Sequence, residues 1–117
     1  MATTVNKGRI EQVELPTEDS AAADVADSQT GSVVLAGVAG KRVQVTFVNI
    51  TTASTSTGAS VHWTGTLSTT NRIALAGTGT GHSFVINHLG PVGLGVQVDT
   101  GTGGTTTKVL IHYRLVQ

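Results

Sequence analysis

From residue 31 onward, apolar and polar residues alternate in short blocks separated by glycine- and threonine-rich turns. "SVVLAG" (32–37) is a short apolar run closed by glycine. "KRVQVTFVNI" (41–50) sets Val43, Val45 and Phe47 on one face and Arg42, Gln44 and Thr46 on the other. "SVHWTG" (60–65) places Val61 and Trp63 opposite His62, and "NRIALAG" (71–77) groups Ile73 with Leu75. "HSFVIN" (82–87) groups Phe84 with Ile86, and "LGVQVD" (94–99) aligns Leu94, Val96 and Val98. "KVLIHYRLV" (108–116) sets Val109, Ile111, Tyr113 and Leu115 against Lys108, Leu110, His112 and Arg114. A period of two means a strand with one buried face. Seven such segments at this spacing predict antiparallel strands in two packed layers. The expected fold is all-β, a β-sandwich of jelly-roll type. Its predicted core is Val43, Val45, Phe47, Ile73, Leu75, Phe84, Ile86, Val96, Val98, Ile111 and Tyr113.

Residues 1–30 break the pattern. "PTEDSAAADVADSQT" (16–30) has no clear alternation, and its alanines allow a short helical turn capped by Thr17 or Ser20. Ahead of it, "GRIEQVEL" offers Ile10, Val13 and Leu15 as apolar anchors. Charge marks the same boundary. Glu11, Glu14, Glu18, Asp19, Asp24 and Asp27 are six of the chain's seven acids, and no base lies among them. Residues 28–117 carry five bases (Lys41, Arg42, Arg72, Lys108, Arg114) against Asp99 alone, a net of +4. The chain therefore divides into an acidic N-terminal arm or linker (1–30) and a mildly basic sandwich domain (31–117).

The 117 residues suffice for one domain. One Trp, one Tyr, two Phe and one Met leave the core to Val, Leu, Ile and Ala. There is no cysteine, so neither disulfides nor thiolate metal sites are available. No apolar run approaches the length of a membrane helix, and "MATTVNKGRI" lacks the apolar stretch of a secretion signal. Synthesis and folding in a cytoplasm are expected.

"LAGTGTGHSF" (75–84) raises the question of a phosphate loop. A phosphate loop ends in Gly-Lys-Ser/Thr and opens a helix. Here Gly81 is followed by His82, and the next residues read as a strand ended by Gly90-Pro91. The stretch is instead expected to be a hairpin or inter-sheet loop whose glycines permit positive φ. His62, His82, His88 and His112 are the body's only metal or acid–base candidates, and their spacing offers no ligand set. A Ser–His–Asp arrangement would have to use Asp99, and no nucleophile elbow is present. His62 and His112 are expected on polar strand faces or at subunit contacts. Trp63 is expected in or near the core; stacking on a sugar is the competing use. A net of +4 without interleaved aromatics does not make a nucleic-acid surface.

"AGKRVQVTFVNIT", "VHWTGT", "RIALAGTGTGHSF", "GPVGLGVQVDTGTG" and "KVLIHYRLV" resemble segments of small virion proteins of tailed bacteriophages, in particular β-sandwich capsid decoration (cement) proteins. Gly40, Lys41, Arg42, Val43, Gly90, Gly95 and Tyr113 stand at matching places, and the resemblance covers residues 33–117. It implies a homotrimeric structural protein of the virion's capsid surface, made in the host cytoplasm. Its partners would be the major capsid protein and itself, with no enzyme activity, cofactor, nucleic acid or membrane. The expected contacts are Ile10, Val13 and Leu15 with Glu11, Glu14, Glu18 and Asp19, on an arm that orders on binding. The alternative expectations are a receptor- or carbohydrate-binding module of a phage head or tail fibre, marked by an exposed Trp63 or Tyr113, and a small hydrolase or cupin-like metal enzyme, marked by converging histidines.

Overall fold

A computed structural model describes residues 17–53, 55–77, 81–104 and 106–117. Eight strands follow one another: β1 (Asp19–Ala26), β2 (Ser32–Leu35), β3 (Arg42–Thr51), β4 (Ala59–Trp63), β5 (Arg72–Ala76), β6 (His82–Leu89), β7 (Val96–Thr100) and β8 (Thr106–Val116). They form two antiparallel sheets of order β1-β8-β3-β6 (sheet 1) and β2-β7-β4-β5 (sheet 2). Every connection except β4–β5 crosses from one sheet to the other. This strand order is that of the eight-stranded jelly roll. No helix occurs among the described residues.

The core is aliphatic, as the composition requires. Val43, Val45, Val48 and Ile50 of β3 and Val109 and Ile111 of β8 meet Val61, Ala74, Ala76, Val96 and Val98 of the other sheet, all buried. Trp63 closes one end at 4 % exposure. Its ring lies against Gly90, where an added methyl would stand 2.6 Å from the indole. Glycine is thus required there for space, not for its backbone freedom.

Three expectations need correction. Residues 16–30 are not an arm throughout, and the alanines form no helical turn. Asp19–Ala26 is β1, paired over its whole length with β8. Its inward residues Ala21, Ala23 and Val25 pack on or within the core. The turn after it is pinned to β7, with Ser28 N–H donating to the Gly101 carbonyl (2.9 Å) and Thr100 N–H to the Gln29 carbonyl (2.9 Å).

Second, Phe47 is not in the core. Thr46 is an extra residue between Val45, paired with Tyr113, and Phe47, paired with His112. That bulge reverses the parity of β3, so Val48 and Ile50 point inward and Phe47 outward. Third, a shift in β5 places Ala74 opposite Val61 and Arg72 opposite His62, leaving Ile73 as the extra residue. Ala74 and Ala76 become the buried residues, and Leu75 is 53 % exposed. Phe84, Ile86 and Tyr113 are half-buried against the core.

The loop from Ala76 to His82 joins β5 in sheet 2 to β6 in sheet 1, so it is an inter-sheet loop. Gly77 and Gly81 do not adopt positive φ; residues 78–80 lie outside the described residues.

Candidate functional site

Of the residues expected to make contacts, Ile10, Glu11, Val13, Glu14 and Leu15 lie outside the described residues. Glu18 and Asp19 are exposed at the start of β1. With Ser20 and His112 they border an open, shallow depression on the outer face of sheet 1. The Thr46 hydroxyl, displaced by the bulge, lies between the Glu18 carboxylate and the His112 carbonyl. The Asp19 carboxylate accepts from Ser20 N–H (2.9 Å). Behind the depression the His112 and Phe47 rings stand 5.1 Å apart, tilted by 40°. Register places Ser20, His112, Phe47 and Val85 in one row across the four strands. The row runs from the acidic β1 edge to the apolar β6 edge, where Val85 is 89 % exposed.

On the outer face of sheet 2, the Asp99 carboxylate meets a histidine. His62 follows Val61 in β4, and Asp99 follows Val98 in β7; these strands pair, with Val61 opposite Val98. Both side chains therefore leave the sheet on the same side. His62 Nε2 lies 2.8 Å from Asp99 Oδ1, and that oxygen also accepts from Gly31 N–H (2.7 Å). His62 Nδ1 lies 2.7 Å from the Trp63 carbonyl. The same carbonyl is met by Asn71 Nδ2 (3.4 Å), which also reaches the Thr66 carbonyl (2.9 Å). The Asn71 Oδ1 in turn accepts from Ser68 N–H (2.7 Å). His62 is wholly buried.

This arrangement links the β1–β2 turn, the β7 strand and the β4–β5 loop through one ring. It does not make a catalytic dyad. A general base needs a free ring nitrogen facing a nucleophile. Here both nitrogens meet oxygens of the protein itself, and the ring has no access to solvent. The expectation that His62 occupies the polar strand face holds for its direction, but the face is covered there.

The remaining candidates do not converge. His88 makes an edge contact with Trp63 (centroids 5.8 Å) at the end of the sandwich. His112 sits on the opposite outer face from His62. Among the described residues no three metal-ligating side chains come together. Trp63 is buried and Tyr113 packs on the core, so neither ring is presented as a platform. Lys108 and Asp24 form an exposed pair at 3.3 Å, of the kind that contributes little. What the described surface offers is extended strand: sheet edges and outer faces.

No protein-family model matches the sequence, and no curated protein is significantly similar to it.

Proposed function

We propose that this chain is a structural protein of a bacteriophage virion, a capsid decoration protein that binds the assembled capsid lattice as a homotrimer and stabilises it. The observation that carries this reading is the jelly roll itself. Eight strands close over an aliphatic interior, and the buried His62–Asp99 pair holds loops together. Jelly rolls serve capsids, lectins and cupins. A lectin is disfavoured by the burial of Trp63, and a cupin by the Val, Ile and Ala that fill the space between the sheets. The sequence resemblance to phage decoration proteins points the same way.

The role is non-catalytic. Many copies bridging neighbouring capsid subunits add binding energy that internal pressure must overcome. Residues 1–16 are the binding segment, with Ile10, Val13 and Leu15 as anchors and Glu11 and Glu14 facing basic groups. Exposed ion pairs are screened at physiological salt, so the apolar anchors carry more of the affinity.

The test is a count. Virions of the phage that encodes the chain are purified, and the chain is quantified by mass spectrometry against the major capsid protein. A fixed ratio approaching one copy per capsid subunit is expected. Absence from virions, or a handful of copies per particle, would refute decoration.

A further inference from the structure

The two sheets present four edges: β1 and β6 in sheet 1, β2 and β5 in sheet 2. Unpaired edges recruit extended chain unless they are short, charged or covered. The edges of sheet 2 are short, four residues in β2 and five in β5. The β1 edge is eight residues long but carries Asp19 and Asp24, with Glu18 just ahead of it. The β6 edge, "HSFVINHL", is also eight residues long and has no Lys, Arg, Asp or Glu. Val85 is 89 % exposed and Leu89 46 % exposed on it. Its one guard is an irregularity in its pairing with β3 between Val45 and Phe47.

We propose that the β6 edge accepts residues 9–15 of a second copy of this chain as an added strand. The proposal rests on the preceding reading only in taking residues 1–16 as a binding segment, and it names that segment's partner as a neighbouring subunit.

Three observations select this pairing. The first is charge. "RIEQVEL" bears Glu11 and Glu14 against Arg9 alone. The acids of β1 repel it from that edge. At the far end of β6, Lys41 is held beside the β6–β7 turn, its carbonyl accepting from Gly93 N–H (2.7 Å), and Arg42 begins the adjacent strand. The second is apolar content: Val13 and Leu15 share one face of a strand and can cover Val85 and Leu89, and Phe47 stands next to Val85 in the same row. The third is reach. A strand added outside β6 lies four strand spacings from β1, about 19 Å. The four residues from Leu15 to Asp19 span at most about 14 Å. A chain therefore cannot lay residue 15 on its own β6 edge, but it can lay it on a neighbour's. Main-chain hydrogen bonds would supply affinity and the alternate side chains specificity, as in other strand additions. Because donor and acceptor surfaces differ, the contact is head-to-tail, and a three-fold rotation between subunits would close it as a trimeric ring.

The absence of native cysteine makes the test direct. Full-length Ile10→Cys, Val13→Cys and Leu15→Cys are each co-expressed with a mass-tagged Val85→Cys and oxidised. A disulfide between tagged and untagged chains is expected for at least one of the three. No mixed disulfide at any position overturns the proposal. So does a disulfide confined to pairs of Val85→Cys chains, which would put a second β6 on that edge instead. Light scattering supplies an independent readout. Val85→Glu is expected to reduce the oligomer to monomer, and adding Glu11→Lys and Glu14→Lys is expected to restore it. An oligomer unchanged by Val85→Glu overturns the proposal. The count in virions decides the earlier reading separately, since these experiments use protein that never meets a capsid.

Discussion

Replacing Asp99 by alanine isolates the buried histidine link. The substitution removes the acceptor for two donors, Gly31 N–H at 2.7 Å and His62 Nε2 at 2.8 Å. Gly31 is half-buried and can find water, so its loss is small. His62 is not so placed: its ring is fully buried, and its Nε2 would face a gap. Losing a buried hydrogen bond to a carboxylate costs about 1.5–3 kcal/mol. Asp99 retains 21 % side-chain exposure, so water can enter part of the gap and the loss should not exceed that range. For a domain of this size the midpoint should fall by about 6–12 °C. Asp99→Asn leaves an oxygen in place and should cost no more than about half as much. Urea unfolding followed by the emission of Trp63, the only tryptophan and a buried one, measures both variants. Protein concentration must be held fixed, because association adds to apparent stability. Asp99→Ala within about 1 kcal/mol of the parent, a typical single hydrogen bond's worth, would show that the ring does not depend on Asp99.

Four further outcomes are expected. Phe47→Ala should cost about 1–2 kcal/mol in urea unfolding, not the roughly 3–5 of a buried phenylalanine, because the bulge turns Phe47 outward. Gly90→Ala drives a methyl into the Trp63 ring and should destabilise by about 1–3 kcal/mol, with a shift in tryptophan emission; unchanged emission and stability would contradict the packing described. Deleting residues 1–16 should leave a β-type circular dichroism spectrum and cooperative melting, whereas deleting 1–30 removes β1 and should abolish both. Protein purified without added metal should contain less than stoichiometric transition metal by elemental analysis, and a full equivalent would bring the histidines back into consideration.

Seven of the eight strands are legible in the sequence because each carries large apolar residues, in alternation or, for β2, in a short run, between glycine- or threonine-rich turns. β1 is not, because "DSAAADVA" places alanine on both faces and the buried set is Ala21, Ala23 and Val25. Small side chains blur a period that hydropathy alone must carry. Phe47 and Leu75 fail for another reason. A one-residue bulge reverses every later side chain in its strand, and a period-two reading has no means of locating it. The His62–Asp99 link spans 37 residues and is silent in the local sequence. Its trace is positional: each residue follows a buried valine, in strands that turn out to be neighbours. Knowledge of the β4–β7 pairing would have exposed it. Glu18 and Asp19, expected to make contacts, border the depression on sheet 1; the row through Phe47 and Val85 depends on register, which no local period carries.

The order of strands in sheet 1 also dictates when the molecule can be completed. β8 lies between β1 and β3, so it supplies the ladder partner for both. On a ribosome, residues 19–26 and 42–51 emerge well before residues 106–116, and until then neither has its main neighbour. Sheet 2 has β4 and β5 in hairpin contact, so it can begin early; sheet 1 must wait for nearly the whole chain. During that wait, β3 exposes Val43, Val45, Val48 and Ile50, while β1 exposes little but alanine between aspartates. The acids and small residues that hide β1 from a hydropathy reading thus keep the earliest of the described strands from finding a wrong partner while its right one is still being made.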